Sequence, residues 1–119
     1  MEKLFQHLTE LMHSRRLYTN PRLCRKQVAD ALHTNEAYLH QCIRLMTGLT
    51  FTAYIYNLRL EHACNALAQA DNESTVEVIA AEAGYHSRKT FHQHFRQKYG
   101  CTPAEYRQKN KETNNNTAL

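Results

Sequence analysis

The sequence predicts an all-α fold of about seven helices, which form two helix-turn-helix subdomains joined by a long linker helix. Three observations support this prediction. The 119 residues include only three Gly and two Pro, so few positions interrupt a helix. No segment alternates apolar and polar residues as a half-buried strand does. Apolar residues recur every three or four positions, which is the spacing of one helix face.

The first subdomain is predicted to cover residues 1–48. Asn20 and Pro21 favour a turn after the first helix, Asn35 is a suitable N-cap for the last helix, and Gly48 ends it. Its helices are expected over residues 2–16, 25–32 and 36–47. The residues expected to face its core are Leu4, Leu8, Leu11, Met12, Val28, Ala29, Leu32, Leu39, Ile43 and Met46.

The linker, residues 49–70, contains a predicted helix over 51–70 whose apolar face changes halfway along. One face carries Phe51, Tyr54, Ile55 and Leu58, and the opposite face carries Leu60, Ala63, Cys64 and Leu67. A helix with two apolar faces cannot serve a single core. The first half should therefore pack against the preceding segment and the second half against the following one.

The second subdomain is predicted over residues 71–108, and it repeats the organisation of the first. Gly84 supplies the turn and Ser87 caps the longer helix. Its helices are expected over residues 75–82 and 88–99, followed by a short helix that begins at Pro103 after the cap Thr102. The expected inward residues are Val76, Ile79, Ala80, Phe91, Phe95 and Tyr99. The polar residues 109–119 are expected to form a flexible tail.

Charge is distributed unevenly along the chain, whose net charge is +4. Residues 85–111 hold seven Lys and Arg against one acidic residue, whereas residues 49–84 hold one Arg against five acidic residues. A segregated basic surface favours a polyanionic partner. The basic residues coincide with the helix over 88–99, whose outer face carries Arg88, Lys89, His92, Gln93 and Arg96.

These side-chain types suit double-stranded DNA. Arg and Lys donate to guanine edges, Gln pairs with adenine, and phosphates accept from any donor. The corresponding outer face of the first subdomain carries Glu36, Ala37, His40, Gln41 and Arg44. Glutamate repels phosphates but accepts from cytosine. A linker helix of 20 residues spans ~30 Å, close to the ~34 Å between successive major-groove turns, so both helices are expected to enter the groove. Otherwise the DNA must bend toward the protein, or one helix must stay out of its groove.

Residues 23–108 resemble the DNA-binding domain of the AraC/XylS family of bacterial transcription regulators, a homeodomain-like fold. The resemblance is carried by Ile79, Ala80, Gly84, Tyr85, Ser87, Phe91, Phe95, Gly100, Thr102, Pro103, Tyr106 and Arg107. In the linker it is carried by Tyr54, Arg59, Leu60, Ala63 and Leu67. Two positions depart from the family pattern: His33 stands where a glycine is frequent in the turn, and Cys24 where a hydroxyl cap is usual.

The resemblance implies specific roles for the exposed residues. Those implied to read bases are Glu36, Ala37, His40, Gln41, Arg88, Lys89, His92 and Gln93. Those implied to lie near phosphates are Arg44, Arg96 and Thr102. The resemblance also implies an activator that contacts RNA polymerase, and a sensor domain missing from this chain; the alternative is a complete short regulator. No cofactor, membrane contact, metal site or catalytic residue is implied, and the expected location is the cytoplasm, or the cytoplasmic side of a membrane sensor.

Other functions are less consistent with the residues. The four cysteines form no C-x-x-C pair, and His92 and His94 point to roughly opposite sides of a helix. No Gly-rich phosphate loop or carboxylate pair indicates an enzyme. RNA binding lacks a stacking array of aromatic residues. The alternative that remains is a helical protein-interaction module whose basic face binds an acidic partner.

Overall fold

The computed structural model describes residues 1–117, and these residues form seven α-helices and no strand. The helices are α1 (Glu2–Arg15), α2 (Arg25–Ala31), α3 (Glu36–Thr47), α4 (Phe51–Ala68), α5 (Val76–Glu82), α6 (Arg88–Tyr99) and α7 (Pro103–Thr117), with a short 3-10 helix at Leu17–Thr19. The predicted all-α fold is therefore confirmed. The helices belong to two compact units, Met1–Leu58 and a second unit that begins at Arg59. This division falls inside α4, whereas the predicted division sets residues 49–70 apart as a linker.

The first unit has its own hydrophobic core, in which α1 and α2 both pack against α3. The buried members of this core are Leu8, Met12, Val28, Ala29, Leu39, Ile43, Phe51, Tyr54 and Ile55. The first half of α4 therefore belongs to this core, as the change of its apolar face predicts.

The prediction is wrong for one core residue of the first unit. Met46 is 42% exposed, while Cys42, which was not predicted to face inward, is fully buried. Cys42 lies between Leu39 and Ile43 on the inner side of α3, at three and one residues from them. Met46 shares their side of the helix but lies in the last turn, where residues 44–46 are all exposed, so this turn extends past the core.

The second unit is built around aromatic residues of α6. Phe91 and Phe95 are fully buried, and α6 packs against both α5 and α7. Other buried residues of this unit include Leu60, Ala63, Cys64, Leu67, Ile79, Ala80, Ala83, Tyr85 and Cys101. Arg107 Nη2 donates to the backbone oxygen of Asn72 at 3.1 Å, which ties α7 to the loop before α5.

The caps of α3 and α6 follow the prediction. The Asn35 side chain accepts from the Tyr38 N–H at 2.8 Å, and Ser87 Oγ accepts from the Thr90 N–H at 3.2 Å. Both helices end at a glycine in the left-handed conformation, which residues with a Cβ rarely adopt. His33 adopts a left-handed conformation with φ 55° in the turn before α3, so the turn is formed there without a glycine.

The C-terminal end of the described chain differs from the prediction. The last helix runs to Thr117 and is longer than the short helix predicted. Residues 118 and 119, the last two residues of the predicted flexible tail (109–119), lie outside the described part of the chain.

All four cysteines are free thiols. None of the helices described for residues 1–117 combines the length and the apolar character that spanning a membrane requires.

Candidate nucleic-acid interface

The outer face of α6 presents a line of basic side chains. Arg88, Lys89, Gln93 and Arg96 are exposed, and His92 is half-buried. Arg88, His92 and Arg96 follow at four-residue spacing and therefore lie in one row along the helix. The buried Phe91 and Phe95 hold the opposite face in the core, so this row must point away from it.

His92 has a defined ring orientation. Its Nδ1 lies 2.9 Å from the backbone oxygen of Arg88. Because a carbonyl oxygen only accepts hydrogen bonds, Nδ1 carries the proton in this contact, and Nε2 is left for an outside partner. A neutral His92 can thus accept a hydrogen bond through Nε2, and a protonated one can donate.

The outer face of α3 has the same layout with less positive charge. Glu36, Ala37, Gln41 and Arg44 are exposed, and His40 is half-buried. The Nδ1 atom of His40 is buried and has no hydrogen-bond partner among the described residues. Arg44 Nη1 donates to the backbone oxygen of Gly48 at 2.7 Å. The side chain that is predicted to contact a phosphate therefore also forms a hydrogen bond at the C-terminal end of its own helix.

Helices α3 and α6 repeat each other at an offset of 52 residues. Both contain 12 residues, and Glu36 and Arg88 occupy the first position in each. The same residue types recur at this offset: His40 with His92, Gln41 with Gln93, Arg44 with Arg96, Gly48 with Gly100 and Thr50 with Thr102. Ten of the eleven predicted site residues thus form five pairs of equivalent positions, and three of these pairs hold the same residue type.

The repeat adds Thr50, which the prediction from sequence omitted. Thr102 Oγ1 accepts from the Glu105 N–H at 3.1 Å at the start of α7. Thr50 Oγ1 accepts from the Ala53 N–H at 3.2 Å at the start of α4. Each threonine therefore caps the helix that follows α3 or α6, which are the candidate recognition helices of the two units. Aligning the caps Asn35 and Ser87 along the sequence would have exposed this equivalence.

The first residue of each candidate recognition helix is in an ion pair. Glu36 Oε1 lies 3.5 Å from Arg25 Nε, and Arg88 Nη2 lies 3.0 Å from Glu77 Oε1. In both units the partner comes from the first turn of the preceding helix. The charges are exchanged between the units, since the acidic residue lies on α3 in one and on α5 in the other.

The described residues contain no group of three His, Cys, Asp or Glu side chains able to hold a metal ion. The outer faces of α3 and α6 present hydrogen-bond donors, hydrogen-bond acceptors and charged groups. Such an arrangement suits recognition of a polar, charged surface.

Comparison with known proteins gives consistent matches. A model of a helix-turn-helix domain family matches residues 28–109. The chain is 34% identical over 84 residues to the RCS-specific HTH-type transcriptional activator RclR of Escherichia coli, covering 71% of this chain and 29% of that protein. It is 34% identical over 85 residues to the HTH-type transcriptional activator RhaR of Yersinia pestis, covering 69% of this chain and 29% of that protein. The chain thus spans less than a third of these curated relatives.

Solved structures show the same fold. One is a transcriptional regulator from Chromobacterium violaceum described among AraC-type DNA-binding domain-containing proteins, with TM-score 0.79, 20% identity, and coverage of 92% of this chain and 93% of that one. Another is the C-terminal domain of AraT, a response regulator from Geobacillus stearothermophilus, with TM-score 0.73, 23% identity, and coverage of 89% and 84%.

Proposed function

Because this chain belongs to the AraC-type helix-turn-helix family, we propose that it is a sequence-specific regulator of transcription that binds double-stranded DNA. In this proposal α3 and α6 are recognition helices that enter successive turns of the major groove. The observation that carries the proposal is the division of α6 into a buried aromatic face and an exposed basic face. The packing of Phe91 and Phe95 leaves the donors facing outward, where a base edge or a phosphate can accept from them.

In the second unit, Arg88 and Lys89 are proposed to donate to guanine, and Gln93 to pair with adenine. His92 contacts a base through Nε2, because its Nδ1 is occupied by the Arg88 backbone oxygen. These contacts are directional, so each of them favours particular base pairs.

In the first unit, Glu36 is proposed to accept from a cytosine amino group and Gln41 to pair with adenine. Ala37 offers a methyl group for contact with thymine, and His40 lies one turn beyond Glu36 on the same row. This face carries less positive charge than that of α6, so it contributes less to binding of the DNA backbone.

Phosphate contacts are proposed for Arg44, Arg96 and Thr102, and the repeat adds Thr50 at the position equivalent to Thr102. Phosphate contacts fix the position of a protein on the duplex without selecting a sequence. The capped helix starts at both threonines are suited to this role, because backbone N–H groups and the helix dipole favour an anion there.

The remaining proposals concern activation, partners and location. The relatives RclR and RhaR are named as activators, and we propose activation for this chain, with RNA polymerase as a partner. A sensor domain outside this chain would supply the signal. A regulator that binds the bacterial chromosome acts in the cytoplasm.

The test is selection of bound duplexes from a random pool by the chain of 119 residues. We expect two preferred blocks whose centres lie about 10 base pairs apart, one helical turn. The affinity of the selected duplex should fall linearly with the logarithm of salt concentration. One block alone would contradict two recognition helices. No enrichment, together with salt-sensitive binding to an acidic polypeptide, would favour the protein-interaction alternative.

A further inference from the structure

The ion pair between Glu77 and Arg88 lies where the proposed interface begins. Arg88 is the first residue of α6, and its Nη2 lies 3.0 Å from Glu77 Oε1. The Arg88 side chain is 71% exposed and the Glu77 side chain is 49% exposed. Exposed ion pairs contribute little to folding. The small contribution of this ion pair to folding stability is therefore a weak explanation for the presence of a carboxylate at residue 77.

A carboxylate beside a DNA-binding arginine has two opposing effects. It repels the phosphates of any duplex, and it competes with them for the guanidinium. It also holds the guanidinium in place, and a guanidinium has five N–H donors in a rigid fork. Arg88 uses Nη2 for Glu77, so its other donors stay available for the O6 and N7 atoms of a guanine.

Arg88 is held at a second point as well. His92 Nδ1 donates to the Arg88 backbone oxygen, and Glu77, Arg88 and His92 line the same surface groove. The backbone and the side chain of Arg88 are thus both restrained before any DNA arrives. A restrained donor loses less conformational entropy when it binds a base than a mobile one does.

We propose that Glu77 is a positioning residue that directs Arg88 to a base edge and away from phosphates, so that it raises sequence preference while lowering affinity for DNA in general. This inference rests on the proposed function and adds a determinant of specificity to it. The pair Arg25–Glu36 has the opposite polarity in the first unit. There the arginine offsets the repulsion between Glu36 and phosphates, so both units place a neutralised pair at the start of their recognition helix.

The experiment compares Glu77→Gln with Glu82→Gln in the full chain. Glu82 is an exposed acidic residue of the same helix, so both variants remove one negative charge from α5. Affinity is measured for the selected duplex and for a random-sequence duplex. We expect Glu77→Gln to bind the random duplex about 1.4- to five-fold more tightly, the factor that corresponds to one exposed ion pair. Its ratio of selected to random affinity should fall, whereas Glu82→Gln should leave that ratio unchanged.

A second arm tests whether Glu77 acts through Arg88. The preference lost in Glu77→Gln should lie at the base pair whose preference Arg88→Gln also relaxes. In the Arg88→Gln background, the Glu77→Gln substitution should change no base preference. Glu77→Asp, which keeps the carboxylate, should restore part of the preference.

Three results would overturn the inference. They are an unchanged preference profile in Glu77→Gln, an equal effect of Glu82→Gln, and a loss of preference that persists in the Arg88→Gln background. A wild-type chain with no preferred duplex would overturn the proposed function and this inference together. If the wild type has a preferred duplex and Glu77→Gln shows the same base preferences, this inference alone is overturned.

Discussion

The ring of Phe95 meets the ring of Tyr106 edge to face, with the ring centroids 5.7 Å apart. This contact joins α6 to α7. Phe95 also lies 5.8 Å from Phe91 and 4.6 Å from Tyr99, measured between ring centroids. The side chain that anchors the proposed recognition helix is therefore at the centre of an aromatic cluster, and the orientation of the basic face depends on it.

Phe95→Ala should destabilise the second unit by about 3–5 kcal/mol, because it removes a fully buried ring and leaves a cavity among the neighbouring rings. Far-UV circular dichroism should show a lower melting temperature and reduced helicity. Gln97→Ala, at an exposed position of the same helix, should melt close to the wild type. Cooperative melting at the wild-type temperature in Phe95→Ala would show that Phe95 does not anchor α6.

Ser87→Ala should lower the free energy of unfolding by about 1 kcal/mol, because it removes the acceptor for the Thr90 N–H. Ser87→Gly should cost only a few tenths of a kcal/mol, since glycine is itself tolerated at the N-cap. Urea denaturation followed by circular dichroism measures both. A free energy of unfolding of Ser87→Ala equal to that of the wild type would show that this hydrogen bond does not stabilise the fold.

The stability of the second unit should depend on pH through His94. Burial lowers the pKa of His94 below its ordinary value of 6.5, and its Nδ1 lies 3.1 Å from Tyr85 Oη. In the pH window just below 6.5 the unfolded chain therefore binds more protons at this residue than the folded chain does. The free energy of unfolding should rise as pH increases through that window and stop rising above it.

The measurement is denaturation at about pH 5 and about pH 7.5, which lie on either side of the ordinary histidine range. His94→Gln removes the titrating ring, so the difference in stability between the two pH values should be smaller in this variant. An equal difference in wild type and His94→Gln would assign the pH dependence to other groups.

The fold was largely predictable from sequence because its signals are local. Asn35 and Ser87 cap their helices through side-chain oxygens, and such caps are recognisable from residue type and position. Burial at a helix end was not predictable in the same way. Met46 has the right periodicity for the core, yet it is exposed, because periodicity gives the side of a helix and not the extent of the core.

Sequence periodicity predicted the outer faces of α3 and α6, on which most of the candidate residues are exposed while His40 and His92 are half-buried, but it did not predict the contacts of these residues. The pairing of Arg88 with Glu77 depends on the turn between α5 and α6, which brings together residues 11 positions apart. The same is true of Arg25 and Glu36. Sequence periodicity describes one helix at a time, so a contact between side chains of two helices lies beyond it.

Gln41 and Gln93 hold equivalent positions in the two candidate recognition helices and are both exposed. Gln41→Ala and Gln93→Ala should each relax the preference at a single base pair, at a cost of about 1–3 kcal/mol for the selected duplex. Because the two residues belong to different units, the affected base pairs should lie in different blocks of the selected sequence. Selection repeated with each variant measures this. Equal weakening for all sequences would assign these side chains to the DNA backbone.

Arg96→Ala should weaken binding to every duplex by a similar factor and make the slope of log affinity against log salt shallower by about one unit. The physical reason is that a phosphate contact releases a counterion but carries no sequence information. Arg22→Ala is the matched control, because Arg22 is exposed and lies outside both candidate recognition helices, and its slope should stay near that of the wild type. Titrations at several salt concentrations give both slopes. An unchanged slope in Arg96→Ala, or a loss confined to particular sequences, would remove Arg96 from the phosphate contacts and place it among the residues that read bases or contact no DNA.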